Sequence, residues 1–126
     1  MEITFEEKDK YVLVSVDSIK LDSKVSPELK SQFVFLNNNN HKNILLDLSK
    51  VKYCDSSGLS AILIGNRLCK NANGSFILFG LQENVMKLIT ISQLDTVLNI
   101  TPTFTEALDL LYIEEVGREI DEEDND

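Results

Sequence analysis

Two short apolar runs, Ile44-Leu45-Leu46-Asp47-Leu48 and Ser75-Phe76-Ile77-Leu78-Phe79, are separated by a helix-length segment and flanked by others. Runs with little polar alternation mark strands covered on both faces. Strands that alternate with helices are joined by right-handed crossovers into a mostly parallel sheet. This alternation constrains the fold more than any other feature of the chain. Ahead of it, Met1 to Phe5 and Tyr11-Val12-Leu13-Val14-Ser15-Val16 read as a hairpin about the charged segment Glu6 to Lys10. Ser26-Pro27-Glu28 opens a helix, with Ser26 as N-cap and Pro27 at the first helical position. Leu29, Phe33 and Leu36 give that helix its apolar stripe, and Asn37 to Asn40 read as a surface loop. A second helix is expected from about Ser57 to Lys70, stopped by Asn73-Gly74. Val85, Leu88 and Ile89 mark a third helix, and Thr96 to Ile100 a short last strand. Thr103 and Glu106 form a capping box for a final helix carrying Ala107, Leu108 and Leu111. The expected order is β-β-α-β-α-β-α-β-α: an α/β fold with a mixed four- to five-stranded sheet and about four helices.

The 126 residues suffice for one domain with a core that needs no staples, and the 43% hydrophobic and 26% charged shares are ordinary for a globular chain. The longest near-apolar stretch, Leu59 to Ile64, is interrupted by Ser60 and far too short for a membrane span. Acidic residues close behind Met1 give no signal peptide pattern, so a cytoplasmic protein is expected. A net charge of -9 opposes binding to nucleic acid or to an anionic membrane. Most of it is local: Glu114 to Asp126 holds eight acids against Arg118 alone, a net of -7 that leaves -2 for the body. That segment reads as a solvating tail, or as a contact for a basic partner surface.

No conventional active site is visible. His41, the only histidine, sits in the asparagine-rich loop without a partner at ligand or base spacing. Gly-rich phosphate loops, nucleophile elbows and HExxH motifs are lacking. Cys54 and Cys69 read as small buried hydrophobes, with a redox role as the alternative for Cys54. What stands out is Asp55-Ser56-Ser57-Gly58-Leu59, between a buried strand and a helix. Ser56 or Ser57 could simply cap the helix. The same helix N-terminus would also hold a phosphate, so a phosphoserine there would add charge without breaking the fold. In the helix that follows, Leu59, Ile62 and Leu63 fall on one side and Ala61, Ile64 and Leu68 on the other. One stripe faces the sheet; the other packs on neighbouring helices or is exposed beside the serine as a docking surface.

Asp47-Leu48, then Asp55-Ser56-Ser57-Gly58-Leu59, then Ala61-Ile62-Leu63-Ile64-Gly65-Asn66-Arg67 closely resemble the STAS domain of bacterial anti-sigma factor antagonists. Val85, Leu88, Ser92, Leu94, Ile100 and Ala107-Leu108 continue the likeness, which runs from about Ile3 to Leu111. The resemblance implies a STAS-type single domain over residues 1–113, followed by the acidic tail at 114–126. It also implies a regulator without enzymatic activity, a monomer or weak dimer. The unmodified antagonist of such systems binds an anti-sigma factor that is a serine kinase, and so frees a sigma factor. The kinase, which brings its own ATP, marks the serine directly after the motif Asp, here Ser56, and a serine phosphatase reverses the mark. Asp22 matches the acidic residue that the family places near that serine; the family's Gly three residues earlier is Ile19 here. Asp22, Asp55, Ser57, Gly58, Leu59, Ala61 and Ile64 are thereby expected at the partner interface, with no metal site and no cofactor. The alternative is a non-catalytic STAS subunit of a signalling scaffold or a lipid-transport complex.

Overall fold

In the computed structural model, which describes residues 2–124, with side chains through Asp121, the two apolar runs become the central strands β4 (Ile44–Asp47) and β6 (Phe76–Phe79). They lie in a five-stranded sheet of order β1-β2-β4-β6-β7, with β1 (Ile3–Glu7), β2 (Val12–Val16) and β7 (Asn99–Thr101) completing it. β1 pairs antiparallel with β2, and every other neighbour is parallel. The sheet is mixed and four helices cover it, as the alternation predicts.

Side-chain parity assigns the two faces. Val12, Val14, Ile44, Leu46, Phe76 and Leu78 join one core with Leu29, Phe33 and Leu36 of α1 (Ser26–Asn38), Ile62 of α2 (Ser56–Asn71), and Val85 and Ile89 of α3 (Glu83–Ile91). Leu45, Ile77 and Phe79 join a second core with Ala107 and Leu111 of α4 (Phe104–Asp124). Gly65 lets α1 and α2 close together, because a Cβ there would lie 2.6 Å from the Phe76 ring and 2.7 Å from that of Phe33.

Several local expectations are corrected. Ser26 does not cap α1: Val25 holds that position, and the buried Ser26 hydroxyl donates to the Asp22 carbonyl at 2.6 Å. The cap of α2 is Asp55, neither Ser56 nor Ser57. The left-handed stop expected at Asn73-Gly74 is present: Asn73 takes the left-handed conformation after α2 (φ 60°), and the Gly74 N–H donates to the Cys69 carbonyl at 2.7 Å. The last strand begins only at Asn99, after a 3-10 turn at Leu94–Thr96. Thr103 accepts from the Glu106 N–H at 3.2 Å, one half of the expected box. Two short strands, β3 (Lys20–Leu21) and β5 (Tyr53–Cys54), form a separate parallel pair absent from the expected order.

The acidic tail is the largest difference. α4 runs without a break from Phe104 to Asp124, across the boundary expected at 113/114. Glu114 accepts from the Asn99 side chain at 3.2 Å, Glu115 accepts from that of Asn43, and Arg118 donates to the Ser75 hydroxyl at 3.0 Å. Asn43 is itself buried, donating to the Lys10 carbonyl and accepting from the Ser75 N–H at 2.8 Å. These polar contacts hold the start of the segment on the strand ends. The remainder of the expected tail, Asn125 and Asp126, lies outside the described residues.

Candidate functional site

The β3–β5 pair brings together the two segments that the sequence singles out. Leu21 lies opposite Cys54, and the Asp55 N–H donates to the Leu21 carbonyl at 3.3 Å, so Asp22 and Asp55 follow directly from adjacent strands. Lys52 and Tyr53 both donate their N–H groups to the Ile19 carbonyl, at 2.8 and 3.1 Å. Ile19 thus anchors β5 through its backbone and leaves its side chain exposed.

At the mouth of α2 the Asp55 carboxylate accepts from the Ser57 N–H at 2.9 Å and the Gly58 N–H at 3.1 Å, satisfying two of the free donors of the helix. It also accepts from the Ser57 hydroxyl at 2.5 Å. These contacts, the Ser57 hydroxyl first and the Gly58 amide next, hold the Asp55 carboxyl below the ordinary carboxylate range. The Ser57 oxygen lies 3.2 Å from that of Ser26, whose own proton goes to the Asp22 carbonyl. Ser57 is therefore half-buried inside a network joining α1, α2 and the Asp22 turn. Ser56, one residue earlier, is exposed, and among the described residues its hydroxyl makes no hydrogen bond.

Asp22 is half-buried and accepts from the Lys24 N–H at 3.0 Å through its carboxylate, which fixes the turn into α1. Gly58 is buried because a Cβ would sit 2.6 Å from both the Cys54 sulfur and the Leu21 carbonyl oxygen. Ile64 is half-buried and lines a shallow groove with Ser56, Leu59, Ser60, Leu63, Arg67 and Leu94. Ala61 is fully buried and belongs to the core. Its expected place on a docking surface is corrected, since the close packing of α1 on α2 leaves it no access to a partner. Sequence reasoning missed Leu63, Arg67 and Leu94 as groove residues, and Ser26 as a network member. Arg67 was legible as the only cation of the quoted helix motif; Leu94 comes from a distant turn and gave no local signal.

Burial, with the Asp55 carboxylate adding to it, pushes the Cys54 thiol up to about 12, and burial does the same for Cys69. Both are thiols at neutral pH, which disfavours the redox alternative for Cys54. Among the described residues, no cluster of three His, Cys, Asp or Glu is placed to hold a metal, and no helix is long and apolar enough to cross a membrane.

The sequence model of the STAS domain family matches residues 2–107. Three solved structures are similar in fold. A Thermotoga maritima protein described as a candidate anti-sigma factor antagonist is 24% identical, with a TM-score of 0.78 over 87% of this chain and 94% of that one. A serine-to-glutamate variant of RsbS from Moorella thermoacetica is 19% identical, with a TM-score of 0.75 over 94% of this chain and 99% of that one. The phosphorylated form of the Bacillus cell fate determinant SpoIIAA is 19% identical, with a TM-score of 0.67 over 85% and 96%.

Proposed function

The chain belongs to the STAS domain family, and on that premise we propose that it is a cytoplasmic anti-sigma factor antagonist switched by phosphorylation of Ser56. In its unmodified form it binds an anti-sigma factor that is a serine kinase and so releases a sigma factor for transcription. It acts by binding and has no catalysis of its own; ATP is the kinase's ligand. The partner surface comprises Asp22, Asp55 and the groove of Leu59, Ser60, Leu63, Ile64, Arg67 and Leu94, with Ser57 and Gly58 shaping it from inside.

The observation that carries this reading is the contrast between adjacent hydroxyls. Ser56 is exposed at the head of a helix, where a kinase can reach it, while the Ser57 hydroxyl is committed to Asp55 and lies half-buried beside Ser26. A phosphate on Ser56 stands at the positive end of α2, which tolerates the charge. It also stands next to the Asp55 carboxylate, on a surface that already carries Asp22. A partner fitted to the unmodified surface meets a concentrated negative charge, and like-charge juxtaposition at interfaces is costly. The phosphorylated SpoIIAA of similar fold supports a modification of this kind. A serine phosphatase completes the cycle.

Incubation with the cognate kinase and ATP, followed by peptide mapping, is expected to place the phosphate on Ser56, and Ser56→Asp is expected to lose at least about tenfold in kinase affinity. Phosphate on Ser57 with Ser56 unmodified would sink the assignment. A second reading, a non-catalytic subunit of a signalling scaffold or lipid-transport complex, draws for the scaffold on a structure of similar fold from the stressosome, a signal integration and transduction hub. It predicts that the native protein purifies in a particle many times its own mass.

A further inference from the structure

β1 lies at the edge of the sheet, beyond β2, and among the described residues no strand pairs with its outer side. Its backbone polarity follows from two bonds. The Asp17 N–H donates to the Glu2 carbonyl at 2.7 Å, and the Lys8 N–H donates to the Tyr11 carbonyl at 2.9 Å. Even-numbered residues therefore aim their polar groups at β2, and the alternation of an antiparallel ladder turns those of Ile3, Phe5 and Glu7 to the open side. An unpaired edge of five regular residues without proline or bulge is a template for another strand. Beside it lies an exposed apolar patch: Phe5 is 38% exposed, its ring centroid is 6.4 Å from that of Phe35 on α1, and Phe35 and Val34 are 51% and 45% exposed.

We propose that this edge is a self-association surface, on which a second copy of the chain adds its own β1 antiparallel about a two-fold axis through Phe5. The register sets Phe5 against Phe5 of the second copy and Ile3 against Glu7, so all three outward residues of each strand exchange backbone hydrogen bonds. It also sets Glu2 opposite Lys8, twice by symmetry, and Glu6 opposite Thr4. A shift of one step in either direction forfeits this: one places Glu6 opposite Glu6, the other Glu2 opposite Glu6. Charge complementarity thus selects one register and a copy of the same strand as the occupant. The two α1 helices then approach through Phe35 and Val34, and the two sheets become continuous. The interface is small, at or below about 1,200 Å² in total, so the dimer is reversible. Each chain carries -9, so added salt strengthens association by screening the long-range repulsion. Ser56 lies outside this interface, at the head of α2, and its modification leaves the dimer unchanged.

Sedimentation velocity on the full chain over a concentration series tests this. The sedimentation coefficient of the wild type is expected to rise with concentration toward that of a dimer. Phe5→Lys, with its fold checked by melting temperature, is expected to stay monomeric. Glu2→Lys and Lys8→Glu are each expected to weaken association by about fivefold or more, and the double variant E2K/K8E to restore it. A wild type that stays monomeric into the millimolar range overturns the proposal, as does a dimer indifferent to Phe5→Lys. A dimer lost in the single charge variants and not recovered in the double one overturns the register.

Discussion

Asp55 is the residue on which the local chemistry turns, because one carboxylate closes the helix end, holds the Ser57 hydroxyl and flanks Ser56. Its carboxyl is held below the ordinary range in the fold, chiefly by the Ser57 hydroxyl. A carboxyl depressed by folding contributes stability that is full above its unfolded value of about 3.9 and lost as pH falls through the lower folded value. Asp55→Asn keeps a capping oxygen but removes the titration, so its melting temperature is expected to fall less steeply than that of the wild type below about pH 4. Equal acid limbs for the two proteins would show that the carboxylate contributes nothing as a charge. Asp55→Ala, which removes the cap, is expected to cost about 1 kcal/mol at neutral pH by denaturant titration. The sequence reading put the cap at Ser56 or Ser57, and local rules cannot separate those two hydroxyls from the Asp55 carboxylate beside them. The choice is made by where β5 ends, which the Leu21 carbonyl fixes from 34 residues away. Ser26 was misread for a similar reason, since Ser-Pro is a strong local cap signal, yet the turn at Asp22 captures its hydroxyl.

Among the elements, β4 and β6 were legible because burial on both faces leaves a run of apolar side chains that no loop would carry. β3 and β5 were not, because two-residue strands exist only through their pairing with each other. α4 shows the same divide. Its first turns carry a readable stripe, but what holds its later turns is the long-range contact of Glu115 and Arg118 with Asn43 and Ser75. Arg118→Ala is accordingly expected to lower stability by about 1 kcal/mol, and Asn43→Ala, which leaves the Ser75 N–H without its acceptor, by about 2 kcal/mol. Deletion of Asp121 to Asp126, past the last of these anchors, is expected to leave the melting temperature unchanged. Chemical denaturation of the three variants separates them; a loss on truncation that equals the loss in Arg118→Ala would extend the ordered, contributing part of the helix to its end.

At the scale of the whole molecule, the Ser56 segment hangs on the small β3–β5 pair, outside the five-stranded sheet. Phosphate at Ser56 is therefore expected to shift backbone amide resonances around residues 19–26 and 52–60 and to leave those of β4, β6 and β7 in place. Large shifts across the sheet would mean that the signal travels as a change of conformation and not as a change of surface charge. The fold class was readable because alternation is a global pattern written locally; the groove was only half readable, since Leu94 reaches it from another part of the chain. The turn that ends α2 has a consequence on a slower clock. Asn-Gly pairs such as Asn73-Gly74 age by deamidation, in which the glycine nitrogen attacks the asparagine side-chain carbonyl carbon and ammonia leaves as the succinimide ring closes. Here that nitrogen is engaged with the Cys69 carbonyl, and the backbone of Asn73 is locked in a left-handed turn. The native turn resists this chemistry until the helix end opens, so deamidation at this pair is expected to follow local unfolding.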